Sequence, residues 1–266
     1  MYLAAALQMT STVDRAHNHA RAARLVAAAA DAGAQLIGLP EMWPFMGPEA
    51  ERLAHAETLE GPSLSLCRGL AEEHGVWILA GSIPEQSPDA AKVFNTSALV
   101  SPDGTLAGVY RKVHLFDVDI PDGARYRESA GVASGSETCV AATPLGKIGL
   151  SVCYDLRFPE LYRALSAKGA ELVTVPSAFT LYTGKDHWEV LLRARAIEDL
   201  CYVLAPAQFG RHSEKRVTYG HAMLVHPWGT VLACAADGEG MAIGPVDLGE
   251  VQRVRRELPA LAHRRL

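Results

Sequence analysis

The 266-residue chain is 49% hydrophobic and 21% charged, enough apolar material to bury a large core and ordinary for a globular protein. A formal charge of −5 and a pI near 6.1 give no basic field for nucleic acid, and the most basic stretches, 211–216 and 253–256, are short, mixed and read as solvated faces. No apolar run is long enough to span a bilayer, no positive segment precedes the first strand, and five cysteines without C-x-x-C spacing argue against a disulfide framework or a metal site, so a reducing, cytoplasmic location without a membrane partner is expected.

In chain order, an apolar strand is expected at 3–7 and an Ala-rich helix over 13–32, capped by Ser11 or Thr12. The run Leu36-Ile37-Gly38-Leu39-Pro40 stops at Glu41. A second helix, 63–74, ends on Gly75, and strands follow at 76–81 and 93–100. The run 106–111 stops at Lys112, and 147–152 stops at Cys153. Pro159 is a favourable first-turn residue and opens a helix over 159–168. A strand at 171–175, a helix at 186–198 and strands at 201–205 and 221–225 complete the series.

Three hairpins share one local phrase, Pro102-Asp103-Gly104, Pro144-Leu145-Gly146 and Pro227-Trp228-Gly229, in which proline presets the first turn position and glycine takes the left-handed one. No Ser/Pro-rich linker, charge block or composition shift divides the chain, so one domain over 1–266 is expected. Early helix–strand alternation followed by hairpins predicts a layered α/β sandwich, a mixed sheet with helices on one face and a second sheet on the other.

Catalysts gather at the carboxyl ends of strands in such sheets. A carboxylate, an ammonium and a thiol brought to one rim supply a proton acceptor, an oxyanion clamp and a nucleophile for opening a carbonyl. Glu41 lies between apolar neighbours that would desolvate it, and Lys112 is similarly flanked. Cys153 sits on a strand-turn-helix elbow that would aim backbone N–H groups, including that of Tyr154, at a developing oxyanion. Taken singly, each has an ordinary alternative as a loop acid, a surface charge or a small buried hydrophobe. Cys67, Cys139, Cys201 and Cys234 lack an elbow and are assigned to packing. Ser151 lies inside its strand and lacks the last glycine of a hydrolase serine motif.

Together these segments resemble the nitrilase superfamily of carbon–nitrogen hydrolases, through Leu39-Pro40-Glu41, Tyr110-Arg111-Lys112-Val113-His114-Leu115 and the run from Val152-Cys153-Tyr154 to Phe158-Pro159-Glu160. The resemblance implies a four-layer αββα sandwich, pairing into a homodimer, and a second glutamate after the lysine segment, matched by Glu128. It implies no cofactor and a small-molecule amide substrate. Segments 112–121 (KVHLFDVDIP), 183–199 and 219–230 are most similar to the Nit branch. The stretch 208–223 is more similar to amidases acting on deaminated glutathione than to omega-amidase, which acts on 2-oxoglutaramate. An N-carbamoyl hydrolase, a true nitrilase and a non-catalytic binding protein fit the segments less well.

A substrate carrying carboxylates needs guanidinium or ammonium donors. Arg211, Lys215 and Arg216 are the expected contacts to the distant carboxylate, with Arg157 and Lys185 as further candidates. Ser177 and Phe179, after the strand at 171–175, are expected to wall the pocket.

Overall fold

Two β-sheets lie face to face, each carrying helices on its outer side. The computed structural model describes residues 1–119, 125–214 and 216–265. In the larger sheet, strand Tyr2–Met9 pairs in parallel with Ala34–Gly38 on one side. It also meets Gly240–Val246 antiparallel along its length and, at its C-terminal end, Ala207–Arg211 in parallel. Ala34–Gly38 continues to Trp77–Leu79 in parallel and then to Val93–Val100 and Leu106–Arg111 antiparallel. The smaller sheet centres on the parallel strands Gly146–Leu150, Leu172–Thr174 and Tyr202–Ala205.

Alternation along the first strand assigns the layers. Tyr2, Ala4 and Ala6 join Leu150, Leu172 and Leu204 of the facing sheet in one core. Ala5, Leu7 and Met9 point outward, against Ala22, Leu25, Val26 and Ala29 of α1 (Arg15–Asp31) and Leu64 and Cys67 of α2 (Pro62–His74). On the other outer face α3 (Pro159–Ala167) buries Tyr162 and Leu165, and α4 (Leu181–Asp199) buries Trp188, Leu192 and Ala196. The architecture is the αββα sandwich expected from the resemblance.

Several boundaries differ from expectation. Helix α1 starts later, because Asp14 is its cap and accepts from the His17 N–H at 3.0 Å. Ser11 instead donates to the Trp43 carbonyl. Helix α4 starts five residues earlier than the pattern suggested, at Leu181, with Thr180 as its cap; Thr183 and Gly184 are weak helix formers that hid its first turn. A fifth helix, α5 (Leu248–Glu257), was obscured by its charge, yet it buries Val251 and Val254, and Arg255 donates to the Leu200 and Ala170 carbonyls. The 253–256 stretch is therefore not simply a solvated face. Of the cysteines assigned to packing, Cys67 and Cys201 are buried, whereas Cys139 is half-buried and Cys234 exposed.

Candidate active site

Glu41 leaves the larger sheet one residue beyond Pro40, and its backbone is fixed from two sides. Gln208 Nε2 donates to the Glu41 carbonyl at 3.0 Å, and the next residue, Met42, donates its N–H to Ser82 Oγ at 3.0 Å. Met42 itself takes a φ of +52°, a left-handed conformation within the turn that follows the strand. Lys112 follows strand Leu106–Arg111 and holds register through its N–H to the Asn95 carbonyl at 2.9 Å. Cys153 comes from the opposite sheet, after Gly146–Leu150, with its N–H on the Pro176 carbonyl at 3.0 Å. The three therefore meet at a seam between the sheets.

The elbow is a tight turn, Cys153–Arg157, with Cys153 at φ +51°. An L-residue is strained there and persists only where its surroundings over-determine it. Asp155 is the determinant. Fully buried, it accepts from the Val152 N–H (2.9 Å), the Tyr110 hydroxyl (2.7 Å), and the His114 N–H and Nδ1 (3.1 and 2.7 Å). With the Cys153 N–H on Pro176 and the Asp155 N–H on Val152, the Tyr154 N–H between them has no backbone acceptor within the turn. Arg157 does not pair with Asp155. It lies over the Phe179 ring and beside His187.

Lys112 Nζ donates to Glu41 Oε1 at 3.1 Å and to Glu128 Oε2 at 2.8 Å, and all three side chains are buried. Asn95 Nδ2 spans the same two carboxylates, 3.0 Å from Glu41 and 3.1 Å from Glu128. The Ala178 N–H completes Glu41, and the Phe116 N–H completes Glu128, so every carboxylate oxygen accepts. Turning the Asn95 amide over would set its oxygen against both anions. The charges thus dictate its orientation, at the cost of an Oδ1 with no partner among the described residues.

Burial works against the Lys112 charge, but Glu128 and Glu41 outweigh it and hold the ammonium above its ordinary range. Burial also opposes the Glu128 charge, and Lys112 more than offsets this, keeping the carboxyl below its usual range. For Cys153, burial and the facing Glu41 carboxylate push the thiol well above a free cysteine, despite Lys112 nearby. The resting sulfur is a protonated thiol aimed at a carboxylate, so it needs a proton acceptor at the moment it attacks.

These groups floor a cleft with about 580 Å³ of empty space, walled by Phe116, Tyr154, Arg157, Ala178, Phe179 and Thr180. Phe179 is in the wall and tilts against Trp188. Ser177, by contrast, is turned away; its hydroxyl donates to the Val175 carbonyl, and the wall is formed by the three residues after it. Arg216 reaches the cleft, whereas Arg211 does not and instead donates to the Ser213 and Glu214 carbonyls. Lys215 lies outside the described residues, as does the end of segment 112–121. Lys185 sits over the Tyr182 ring, off the cleft. Asn95 and Arg52, at the site, carried no signal in the sequence, and Asp155 and Gln208, which support it, lie in segments that carry the family resemblance but were given no role there. Among the described residues no group of three or more His, Cys, Asp or Glu is placed to hold a metal ion.

Compared with known proteins, residues 3–256 match the family described as carbon-nitrogen hydrolase. The chain is 48% identical over 266 residues to a deaminated glutathione amidase of Synechocystis, covering 99% of this chain and 98% of that one. It is 47% identical to the human deaminated glutathione amidase, covering 99% of this chain and 82% of the human protein. The Caenorhabditis elegans NitFhit crystal structure superposes with a TM-score of 0.93 at 40% identity, over 99% of this chain and 65% of that longer one.

Proposed function

Because the chain belongs to the carbon-nitrogen hydrolase family, we propose that it is a thiol amidase that hydrolyses the amide bond of deaminated glutathione to 2-oxoglutarate and cysteinylglycine. The observation that carries the reading is the convergence of Glu41, Lys112 and Cys153 from two sheets on one buried floor. Glu41 takes the thiol proton as the sulfur attacks the amide carbon, and Lys112 with the Tyr154 N–H stabilises the oxyanion. Collapse breaks the C–N bond. Glu41 returns the proton to the leaving nitrogen, and a thioester stays on Cys153. Water then attacks the thioester carbon, giving its proton to Glu41, which passes it to the departing sulfur; the carboxylic acid product leaves. Glu128 touches no reacting atom in this scheme and positions Lys112 through the 2.8 Å ion pair.

We further propose a single domain, a cytoplasmic location and a homodimer. The span of the family match supports the first, and five unpaired cysteines the second. Exposed apolar side chains support the third: Val190 and Ile197 lie seven residues apart on α4, Ile197 adjoins the turn that presents Trp228, and Arg193 ties that turn to the helix through the Gly229 carbonyl. Among the described residues no helix is long and apolar enough to cross a membrane.

The test is comparative hydrolysis of deaminated glutathione and 2-oxoglutaramate by the purified chain, reading 2-oxoglutarate. A higher kcat/KM for deaminated glutathione is expected. A preference for 2-oxoglutaramate would move the assignment to omega-amidase, and no turnover of either would remove it.

A further inference from the structure

We infer that Arg52, with Arg216 beside it, is a carboxylate-binding site in the cleft wall and takes the carboxylate at the far end of the acyl chain that Cys153 would carry. The inference rests on the amidase reading for the identity of the chain, but not for the existence of the site. Arg52 lies in the short helical turn Glu49–His55 and is only 9% exposed, yet it opens on the cleft. A guanidinium has five donors, and a buried one is normally paired. Among the described residues, this one has neither a hydrogen bond nor an ion pair.

Its electrical surroundings also favour an anion. Burial lowers its affinity for its proton, Glu128 supports the charge, and Arg216 opposes it from across the same space. Two guanidinium groups facing one cavity repel unless an anion lies between them. The acids on the wall do not fill that place. Glu41 and Glu128 are engaged by Lys112 and Asn95, and Glu49 is in ion-pair contact with neither arginine.

The ligand class follows from the position. Arg52 lines the same cleft as Glu41, Lys112 and Cys153, the groups that would hold the reacting carbonyl. In a two-step thiol mechanism the amine half leaves first, while the acyl half stays through hydrolysis. The more buried cation therefore suits the half that stays, a short chain ending in a carboxylate. Planar, bidentate guanidinium geometry matches that group better than an ammonium would. Arg157, half-exposed over the Phe179 and Tyr154 rings, remains for the leaving half.

The experiment compares wild type, Arg52→Met and Arg52→Lys on 2-oxoglutaramate, deaminated glutathione and pentanamide, the last having a similar chain with no carboxylate. It also measures calorimetric binding of 2-oxoglutarate to the Cys153→Ala protein with and without Arg52→Met. Arg52→Met should reduce the kcat/KM ratio of each 2-oxoglutaryl amide over pentanamide by roughly thirtyfold or more, and weaken 2-oxoglutarate binding similarly. Arg52→Lys should recover part of both, and it decides the matter should Arg52→Met fail to fold. Wild-type ratios in Arg52→Lys and Arg52→Met would overturn the site, and a loss confined to deaminated glutathione would overturn its assignment to the acyl half. Arg52-dependent 2-oxoglutarate binding in a chain that hydrolyses neither 2-oxoglutaryl amide would leave the site standing and defeat the amidase reading alone.

Discussion

Asp155 accepts from His114 twice, at the backbone N–H and at Nδ1, and so ties the elbow of the smaller sheet to the segment that carries Lys112 out of the larger one. The same carboxylate holds Tyr110, at the end of the Lys112 strand, and Val152, just before Cys153. The nucleophile and the ammonium are thus held in one frame by a residue that touches no substrate. His114 stacks on Phe158 at 3.8 Å and is a fixed strut.

Asp155→Ala would leave those buried donors without an acceptor, at a cost of about 3 kcal/mol or more. Urea denaturation should show this as a lower midpoint. Residual folded protein should also lose kcat more than substrate affinity, because the freed donors, on Tyr110, His114 and Val152, belong to the segments that place Lys112 and Cys153. An unchanged midpoint would mean that the elbow is held by other contacts.

Glu41→Gln keeps the shape of the side chain but cannot take a proton. Turnover should fall by orders of magnitude, and alkylation of Cys153 by iodoacetamide at neutral pH should slow with it. Survival of both would require another base.

For Lys112→Met the expected loss is roughly a hundred- to thousand-fold in kcat, as for one missing oxyanion donor. Stability should change with a definite pH signature. The Glu128 carboxyl is held below its ordinary range in the fold, so the wild type gains stability above the unfolded carboxyl pKa and loses it as pH falls through the folded value. Removing the ammonium abolishes that gain, so the variant should be most destabilised near neutrality and least in acid. Equal destabilisation at all pH values would show that the ion pair does not set the carboxyl's affinity.

Burial lowers the His212 imidazole to about 4, with a smaller opposing effect from its bond to the Ser11 carbonyl. Between its unfolded value near 6.5 and about 4 the unfolded chain binds more protons, so stability should be lost as pH is lowered across that window, by about 3 kcal/mol in all. In His212→Gln, chemical denaturation at stepped pH should show a shallower acid slope. An unaltered slope would contradict the assignment.

Glu41, Lys112 and Cys153 were legible because each ends an apolar run, where the chain's own hydrophobicity marks a strand and its last residue. Glu128 was reached only through the family resemblance, since Tyr126-Arg127-Glu128 carries no such signal. Asn95 and Gln208 look like ordinary strand polar residues, and their value lies in contacts with Glu41 that are 54 and 167 positions distant. Arg52 was missed for the opposite reason. The search for cations followed the basic density at 211–216, where Arg216 does reach the cleft but Arg211 is spent on its own loop, whereas Arg52, a lone arginine among Glu49, Glu51 and Leu53, is folded into the wall without any local basic density to mark it. The hairpin phrases placed three turns correctly. Strand Gly240–Val246 escaped notice because Gly244 and Pro245 break its pattern.

The most direct test of the central claim is rapid-quench mass spectrometry of the wild-type chain mixed with deaminated glutathione, followed by proteolysis. A 2-oxoglutaryl group on the peptide containing Cys153, removable by hydroxylamine and absent from a folded, inactive Cys153→Ala protein, is the predicted result. Steady turnover by Cys153→Ala would contradict it.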